Sequence, residues 1–305
     1  MNPEDIRAVF GMEPAAAVAY LKQKGYAISW DWQDMLDDAH ATAFTVAKVA
    51  KMDILSDIYS AVEKALKNGE TFEQFSRQLT PVLQSKGWWG RQEQFNPDTG
   101  DIQSVQLGSP RRLETIYLTN MQSAYMAGRY AQMVDSIDTH PYWEYVAIND
   151  SRTRETHRLM HGHVYAATDP IWNSMYPPLD YRCRCRVKPL SESRGADRVL
   201  PSPKLETQTV DIGSNPFTGE ARYAQRTGLR IGGKFVAPSP GFNSNQGKAM
   251  NSRMARIATE KAQAMPPEIA RTGMKDLTGN NQFKQGLSLS QAAWGWVMKL
   301  LGKDR

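Results

Sequence analysis

The residues from 149 to 190 constrain the fold more than any other stretch, because they hold three of the five histidines and both cysteines of the chain. Pro177 and Pro178 stop any helix within this stretch. Cys183 and Cys185 follow in the alternating pattern of a strand, so both sulfur atoms leave the same face. We therefore predict a turn or loop followed by a strand that presents two thiols together.

The histidines of the same stretch fit a short helix. Thr153 is a suitable N-cap residue, and Gly162 is a suitable end. A helix between them places His157 and His161 four residues apart on one face. Two imidazoles and two thiols are a ligand set for a tetrahedral zinc ion, so the candidate metal ligands are His157, His161, Cys183 and Cys185.

Two other interpretations stay open. Cys-x-Cys is tighter than the usual Cys-x2-Cys of zinc sites, and buried cysteines often serve only as small apolar residues. A catalytic cysteine–histidine pair is the second alternative, but it needs a third orienting group that the sequence does not single out.

Motifs along most of the chain resemble those of the phage head morphogenesis family, typified by the F protein of bacteriophage Mu. The matching residues are Gly87-Trp88-Trp89-Gly90, residues 111–120, Ala124-Tyr125, Ala127-Gly128-Arg129, Ser151-Arg152-Thr153-Arg154, His157, Met160-His161-Gly162, Asp169-Pro170, Trp172, Pro177-Pro178, Cys183-Arg184-Cys185 and residues 240–247. The resemblance implies a minor head protein that acts structurally in head assembly near the portal vertex. Its implied partners are the portal protein and the major capsid protein, and its implied location is the virion head, with host cytoplasm during assembly.

The resemblance also bears on the metal. Many members of the family carry Cys-x2-Cys where Arg154 and His157 stand here, and a histidine where Asp180 stands. Of that ligand set, His157, Cys183 and Cys185 remain, with Asp180 as an alternative to His161 for the fourth ligand of one structural zinc ion.

Composition sets independent bounds. A chain of 305 residues with 41% hydrophobic residues is long enough for a core and two modest domains. It shows neither a basic and apolar leader nor an apolar run of about 20 residues, so we expect no membrane association. Two cysteines one residue apart do not form a comfortable disulfide, which favours a reducing compartment during folding.

Charge is distributed unevenly. Residues 1–150 carry a net charge of −7, residues 151–200 carry +4 and residues 201–305 carry +8. The basic end is suited to an acidic protein surface or to packaged DNA. Because its cationic residues are scattered, a solvated tail without a polyanionic partner is the alternative.

Hydrophobic periodicity and turn residues predict the elements. We predict helices over residues 14–24, 34–68, 71–79, 110–134 and 248–265, strands over 142–148, 164–166 and 184–189, a hairpin over 229–236, and loop-like residues over 91–108. A helix start is also predicted at Asn2, where a proline and two acidic residues follow.

These elements predict an α+β fold with three parts. Residues 1–108 form a predominantly helical region, residues 109–200 form the small β-containing signature domain, and residues 201–305 form an extended, loop-rich basic tail. Phosphate-binding loops, a nucleophile elbow and paired-carboxylate motifs do not stand out, so we predict no enzyme. The alternative function is a zinc-dependent nuclease acting on packaged DNA, with His161 or His163 activating water.

Overall fold

A computed structural model describes residues 14–49, 51–96, 99–215 and 218–303. The helix start predicted at Asn2 lies outside these ranges. The fold combines helices and strands, which confirms the predicted α+β class. The main helices are α1 Pro14–Gln23, α2 Asp37–Thr42, α3 Met52–Asn68, α4 Phe72–Ser85, α5 Pro110–Asp135, α6 Glu155–Leu159, α7 Glu192–Gly195, α8 Gln246–Gln263, α9 Pro267–Leu277, α10 Asn281–Ser288 and α11 Gln291–Leu300. The strands are β1 Gly25–Tyr26, β2 Ala43–Phe44, β3 Arg91–Phe95, β4 Ile102–Gln106, β5 Tyr142–Val146, β6 Val164–Ala166, β7 Arg186–Leu190, β8 Glu206–Ser214, β9 Ala221–Ile231 and β10 Lys234–Val236.

The prediction of one helix over residues 34–68 is wrong. Helix α3 begins only at Met52, and β2 before it pairs in parallel with β1. Between them Lys48 has a positive φ of 59°, and its backbone N–H donates to the carbonyls of Ser29 and Trp30. These tertiary hydrogen bonds and the strand pairing override the local helical pattern.

The chain between α4 and α5 is not the predicted loop. Strands β3 and β4 form an antiparallel hairpin in which Phe95 lies opposite Ile102. Asn96 and Gly100, two of the turn residues that suggested a loop, lie between these strands, and the N–H of Gly100 donates to the carbonyl of Asn96. The strand sequences RQEQF and IQSVQ contain few apolar residues, so they gave little strand signal, and the hairpin is mostly solvent-exposed.

Helix α5 passes through the centre of the molecule. Ser109 caps its start by accepting a hydrogen bond from the backbone of Arg112, and Pro110 occupies the first helical turn. From Met121 to Gly128 every residue is buried. Helices α1, α3, α4, α8 and α10 all contact α5, so the helix is enclosed by both the N-terminal and the C-terminal parts of the chain.

A small antiparallel sheet packs beside α5. Its strand order is β6-β5-β7, with Tyr145 of β5 opposite Val187 of β7. Two side chains of α5 bind the backbone of the Cys-bearing segment: Gln122 donates to the carbonyl of Cys185 at 2.9 Å, and Arg129 donates to the carbonyl of Val187 at 2.6 Å. These bonds join the helix to the edge of the sheet.

The C-terminal third contains more regular structure than the predicted loop-rich tail. The hairpin predicted over residues 229–236 exists as β9 and β10, and β8 extends it into a three-stranded antiparallel sheet. Beyond it α8, predicted over residues 248–265, is followed by three further helices. Alternating polar residues in β8 and short helices separated by Pro and Gly concealed these elements in the sequence.

Two hydrophobic cores are present among the described residues. The main core extends from Ala17 to Met250 and includes side chains from all three parts of the chain. The second core lies within the C-terminal helices and consists of seven buried residues, among them Met274, Phe283 and Val297. In the part of the chain that the structure describes, no helix is both long enough and apolar enough to cross a lipid bilayer.

Candidate metal centre

Three of the predicted ligands meet in one cluster, which we call the Cys2His cluster: His157, Cys183 and Cys185. The Nδ1 atom of His157 lies 3.6 Å from the Sγ atom of Cys185 and 3.8 Å from that of Cys183. All three ligand atoms lie within 4.8 Å of one another. The three side chains are buried, with 4%, 4% and 1% of their surface exposed. Elsewhere in the described ranges no other group of this kind occurs.

Helix α6 supplies the histidine, although it is shorter than predicted. It begins after Arg154 and ends at Leu159. Thr153 is not the N-cap, because its hydroxyl donates to Asp150 instead. His157 lies on the buried side of this short helix.

His161 does not join the cluster. It follows the end of α6 and is exposed, and its Nδ1 atom accepts a hydrogen bond from the backbone of Ala147 at 3.2 Å. The predicted shared face required the helix to continue to Gly162, whose φ of +81° marks the turn into β6. His163 is the other histidine proposed for the nuclease alternative. Its Nδ1 atom lies 3.1 Å from the hydroxyl oxygen of Tyr165.

Asp180, the alternative fourth ligand, is also engaged outside the cluster. Its carboxylate forms an ion pair with Arg154 at 2.9 Å and accepts a hydrogen bond from Ser239 at 2.8 Å. It therefore ties the loop before the cysteines to α6 and to the segment after β10.

The cysteines lie just before strand β7 rather than within it. The predicted strand over residues 184–189 begins two residues later, at Arg186. Cys183 N–H donates to the carbonyl of Asp180 in a turn, and Arg182 adopts a positive φ of 59°. This turn still brings both sulfur atoms toward His157, so the predicted convergence is present on a loop.

The two thiols have different electrostatic environments. Burial opposes ionisation of Cys183, but hydrogen bonds involving Cys185 and His157 outweigh it and hold the pKa of Cys183 well below that of a free thiol. The proximity of Cys183, together with burial, raises the pKa of Cys185. One sulfur is thus predisposed to be a thiolate, which is the form that binds metals.

A positively charged side chain lies next to the two thiols. Arg184 lies between them in sequence and forms a two-point ion pair with Asp150, at 2.8 and 2.5 Å. Hydrogen bonding to Arg184 holds the pKa of the Asp150 carboxyl well below its usual range. Because Asp150 also binds Thr153, it fixes the start of the α6 segment to the cysteine loop.

Two residues that support the cluster were missed by sequence analysis. Gln122 donates a hydrogen bond to the Cys185 carbonyl, and the hydroxyl of fully buried Tyr145 lies beside the Cys185 thiol. Tyr145 lies on the alternating strand predicted over 142–148, so the pattern could have indicated its inward face. Gln122 gave no such signal, because α5 is buried on all sides at this point and has no polar face to compare.

Comparisons with known proteins identify the family of this chain. The family described as Phage Mu protein F like protein matches residues 56–188. Protein F of Escherichia phage Mu, whose name describes capsid assembly, is 37% identical over 302 residues, covering 98% of this chain and 67% of that protein. The Mu-like prophage FluMu F protein of Haemophilus influenzae is 38% identical over 280 residues, covering 90% of this chain and 65% of that protein.

The chain thus spans about two thirds of the length of these relatives. No solved structure matches it. The agreement with the phage Mu protein covers nearly the whole chain, including both the helical region before the Cys2His cluster and the C-terminal helices after it. We conclude that the chain belongs to the Phage Mu protein F like family.

Proposed function

We propose that this chain is a minor structural component of a phage head that acts in head assembly near the portal vertex. The observation that carries the proposal is the 37% identity over 302 residues to a protein named for capsid assembly. The proposed partners are the portal protein and the major capsid protein. The proposed location is the virion head, reached from the host cytoplasm during assembly.

Deletion of the gene from its parent phage tests this proposal. We expect lysates with defective heads, rescued by the full-length chain and not by a truncation at residue 200, because the truncation removes part of the main core. Electron microscopy of the particles gives the readout. Normal, DNA-filled and infectious particles from the deletion would contradict an assembly role.

We further propose that the Cys2His cluster binds one structural zinc ion. Zinc–sulfur bonds of about 2.3 Å and zinc–nitrogen bonds of about 2.0–2.1 Å place tetrahedral sulfur and nitrogen ligands about 3.6 Å apart. The His157 Nδ1 atom lies at 3.6 and 3.8 Å from the two sulfur atoms, so the donors fit the ion with little movement. Such an ion would link α6 to the loop before β7.

The fourth coordination position has two protein candidates, His161 and Asp180. Each is held by another partner, Ala147 for His161 and Arg154 for Asp180. Zinc sites with three protein ligands and a water molecule are typical of catalytic centres, whereas structural sites have four protein ligands. A structural ion would therefore require His161 or Asp180 to leave its present partner.

The burial of the three ligands supports a structural ion over the nuclease alternative. A hydrolytic metal centre needs an open position that a phosphodiester can reach. Cys183 and Cys185 lie in the main core and His157 is buried beside them, whereas His161 and His163, the candidate bases, are outside the Cys2His cluster.

Elemental analysis tests the zinc proposal directly. Protein purified without an affinity tag should contain about one zinc per chain, and removal of the zinc by a chelator should lower its melting temperature. A Cys183→Ser variant should lose the metal, while a Lys22→Ser variant, changed at an exposed side chain, should keep it. Metal-free wild type with the same melting temperature as Cys183→Ser would contradict the proposal.

The basic C-terminal third is proposed to contact the major capsid protein or packaged DNA. Residues 246–303 carry nine Lys or Arg and three acidic residues, and most of these side chains are exposed. Their charge supports a polyanionic or acidic partner. Binding to DNA would be weak and salt-dependent, since cationic residues release counterions from the phosphates.

A further inference from the structure

The hydroxyl of Tyr145 is a buried polar group beside the Cys185 thiol that has no ordinary hydrogen-bond partner. The Tyr145 side chain is fully buried. Its hydroxyl interacts with the Cys185 thiol but makes no hydrogen bond of normal geometry. Burying a hydroxyl without a compensating hydrogen bond is unfavourable, so this group requires an explanation.

Strand pairing places the hydroxyl there. Tyr145 of β5 lies directly opposite Val187 of β7. Cys185 lies on the turn immediately before β7, two residues before Val187. An aromatic side chain is long enough to reach such a diagonal neighbour. The strand pairing therefore holds the Tyr145 side chain, and the hydrogen bond from Gln122 holds the backbone of Cys185 beside it.

The chemistry of sulfur supplies the reason for the placement. A thiol is a weak acceptor, whereas a hydrogen bond to an ionised acceptor is shorter and stronger. A cysteine that binds a metal is a thiolate. A tyrosine hydroxyl carries its proton at neutral pH, so it can act as the donor.

We propose that Tyr145 positions Cys185 as a metal ligand by donating a hydrogen bond to its sulfur atom when that sulfur is a metal-bound thiolate. This inference rests on the proposed zinc site. In metalloproteins, groups that hydrogen-bond to the ligands orient them and strengthen metal binding. Tyr145 is thus a positioning residue. Its hydrogen-bond acceptor, the Cys185 thiolate, forms when the metal binds.

The neighbouring side chains of Gln122 and Arg184 do not take the place of Tyr145 as a hydrogen-bond donor to the sulfur. Gln122 donates to the backbone carbonyl of Cys185 and not to its sulfur. The guanidinium of Arg184 forms its two short bonds with Asp150. Neither of these two side chains therefore competes with the Tyr145 hydroxyl for the sulfur.

The test compares the wild-type chain with Tyr145→Phe, which removes only the hydroxyl. Affinity for Zn²⁺ is measured by competition with a chromophoric chelator, and Co²⁺ is used to follow the sulfur-to-metal charge-transfer band. We expect the variant to bind Zn²⁺ about 10–100-fold more weakly and to show a shifted band. Without metal, its melting temperature should equal or exceed that of the wild type, because the lost hydroxyl has no partner there.

The matched control is Tyr165→Phe on the neighbouring strand β6. Tyr165 is also buried, but its hydroxyl contacts His163 at 3.1 Å and not the cluster. This variant should bind Zn²⁺ like the wild type. Equal zinc affinity and an unchanged cobalt band in Tyr145→Phe would overturn the inference while leaving the zinc site intact.

A wild-type chain that binds neither ion would overturn both proposals. If Tyr145→Phe does not fold, the wild type loaded with ¹¹³Cd provides a second measurement. A scalar coupling between ¹¹³Cd and the hydroxyl proton of Tyr145 is expected across the hydrogen bond. Its absence from a spectrum that shows the cysteine couplings would count against the inference.

Discussion

Replacing Gln122 by methionine should weaken both the fold and the candidate metal centre. Gln122 is 6% exposed, and its amide donates to the Cys185 carbonyl at 2.9 Å. Methionine has a similar length but cannot donate a hydrogen bond, so the carbonyl loses this partner inside the core. Leaving a buried acceptor without its partner costs about 1–3 kcal/mol.

That free energy sets the size of the measurable effect. In chains of a few hundred residues, each kcal/mol lowers the melting temperature by about 2–4 °C. We therefore expect Gln122→Met to melt roughly 2–12 °C below the wild type. Its zinc affinity should also fall, because the Cys185 backbone is less firmly held.

Differential scanning calorimetry of metal-free and zinc-loaded protein provides the assay. Gln132, which is exposed on the same helix, offers the control, and Gln132→Met should melt like the wild type. If Gln122→Met is as stable as Gln132→Met in both states, the hydrogen bond from α5 does not hold the cysteine loop, and the reasoning fails.

Further predictions concern the C-terminal helices, a buried amine and DNA. A Cβ atom on Gly286 would lie 2.1 Å from the backbone oxygen of Asn251, whereas one on Gly295 would meet nothing within 4 Å. Gly286→Ala should therefore lower the free energy of unfolding by about 1–3 kcal/mol, and Gly295→Ala should raise it by up to about 1 kcal/mol; urea denaturation of both variants measures this. Burial lowers the pKa of Lys24 from 10.5 to about 7, so the folded chain binds fewer protons than the unfolded chain between these values, and its stability should rise with pH there. Lys24→Met should thus be stabilised relative to the wild type most strongly below pH 7 and progressively less toward pH 10. Finally, the affinity of the full chain for duplex DNA should fall steeply between 50 and 200 mM salt, as expected when several phosphates are contacted; in a fluorescence-anisotropy titration, no binding at low salt would leave the capsid protein as the proposed partner.

Local signals in the sequence predicted the elements whose ends are determined by nearby residues. Thr71 and Gln74 form the predicted capping box, and Gly69 ends α3 in the left-handed conformation. Strand β6 has the predicted bounds. In these cases the stabilising hydrogen bonds join residues close in sequence, so the amino-acid pattern was sufficient.

Elements that depend on distant contacts were not predictable in this way. The helical pattern is interrupted before Met52 because the backbone N–H of Lys48 donates hydrogen bonds to the carbonyls of Ser29 and Trp30. The meeting of His157 with the two thiols was predicted from residue chemistry, but the exclusion of His161 follows from a backbone bond to Ala147. Local periodicity contains no information about such partners.

The second hydrophobic core affects how the protein unfolds locally. It consists of seven residues, three of which are alanines, so it buries far less apolar surface than the main core. Regions with few buried apolar contacts unfold locally at lower free energy than the whole domain. Backbone amides of α9 should therefore exchange with deuterium through a local opening, while those in the enclosed middle of α5 exchange only when the entire chain unfolds.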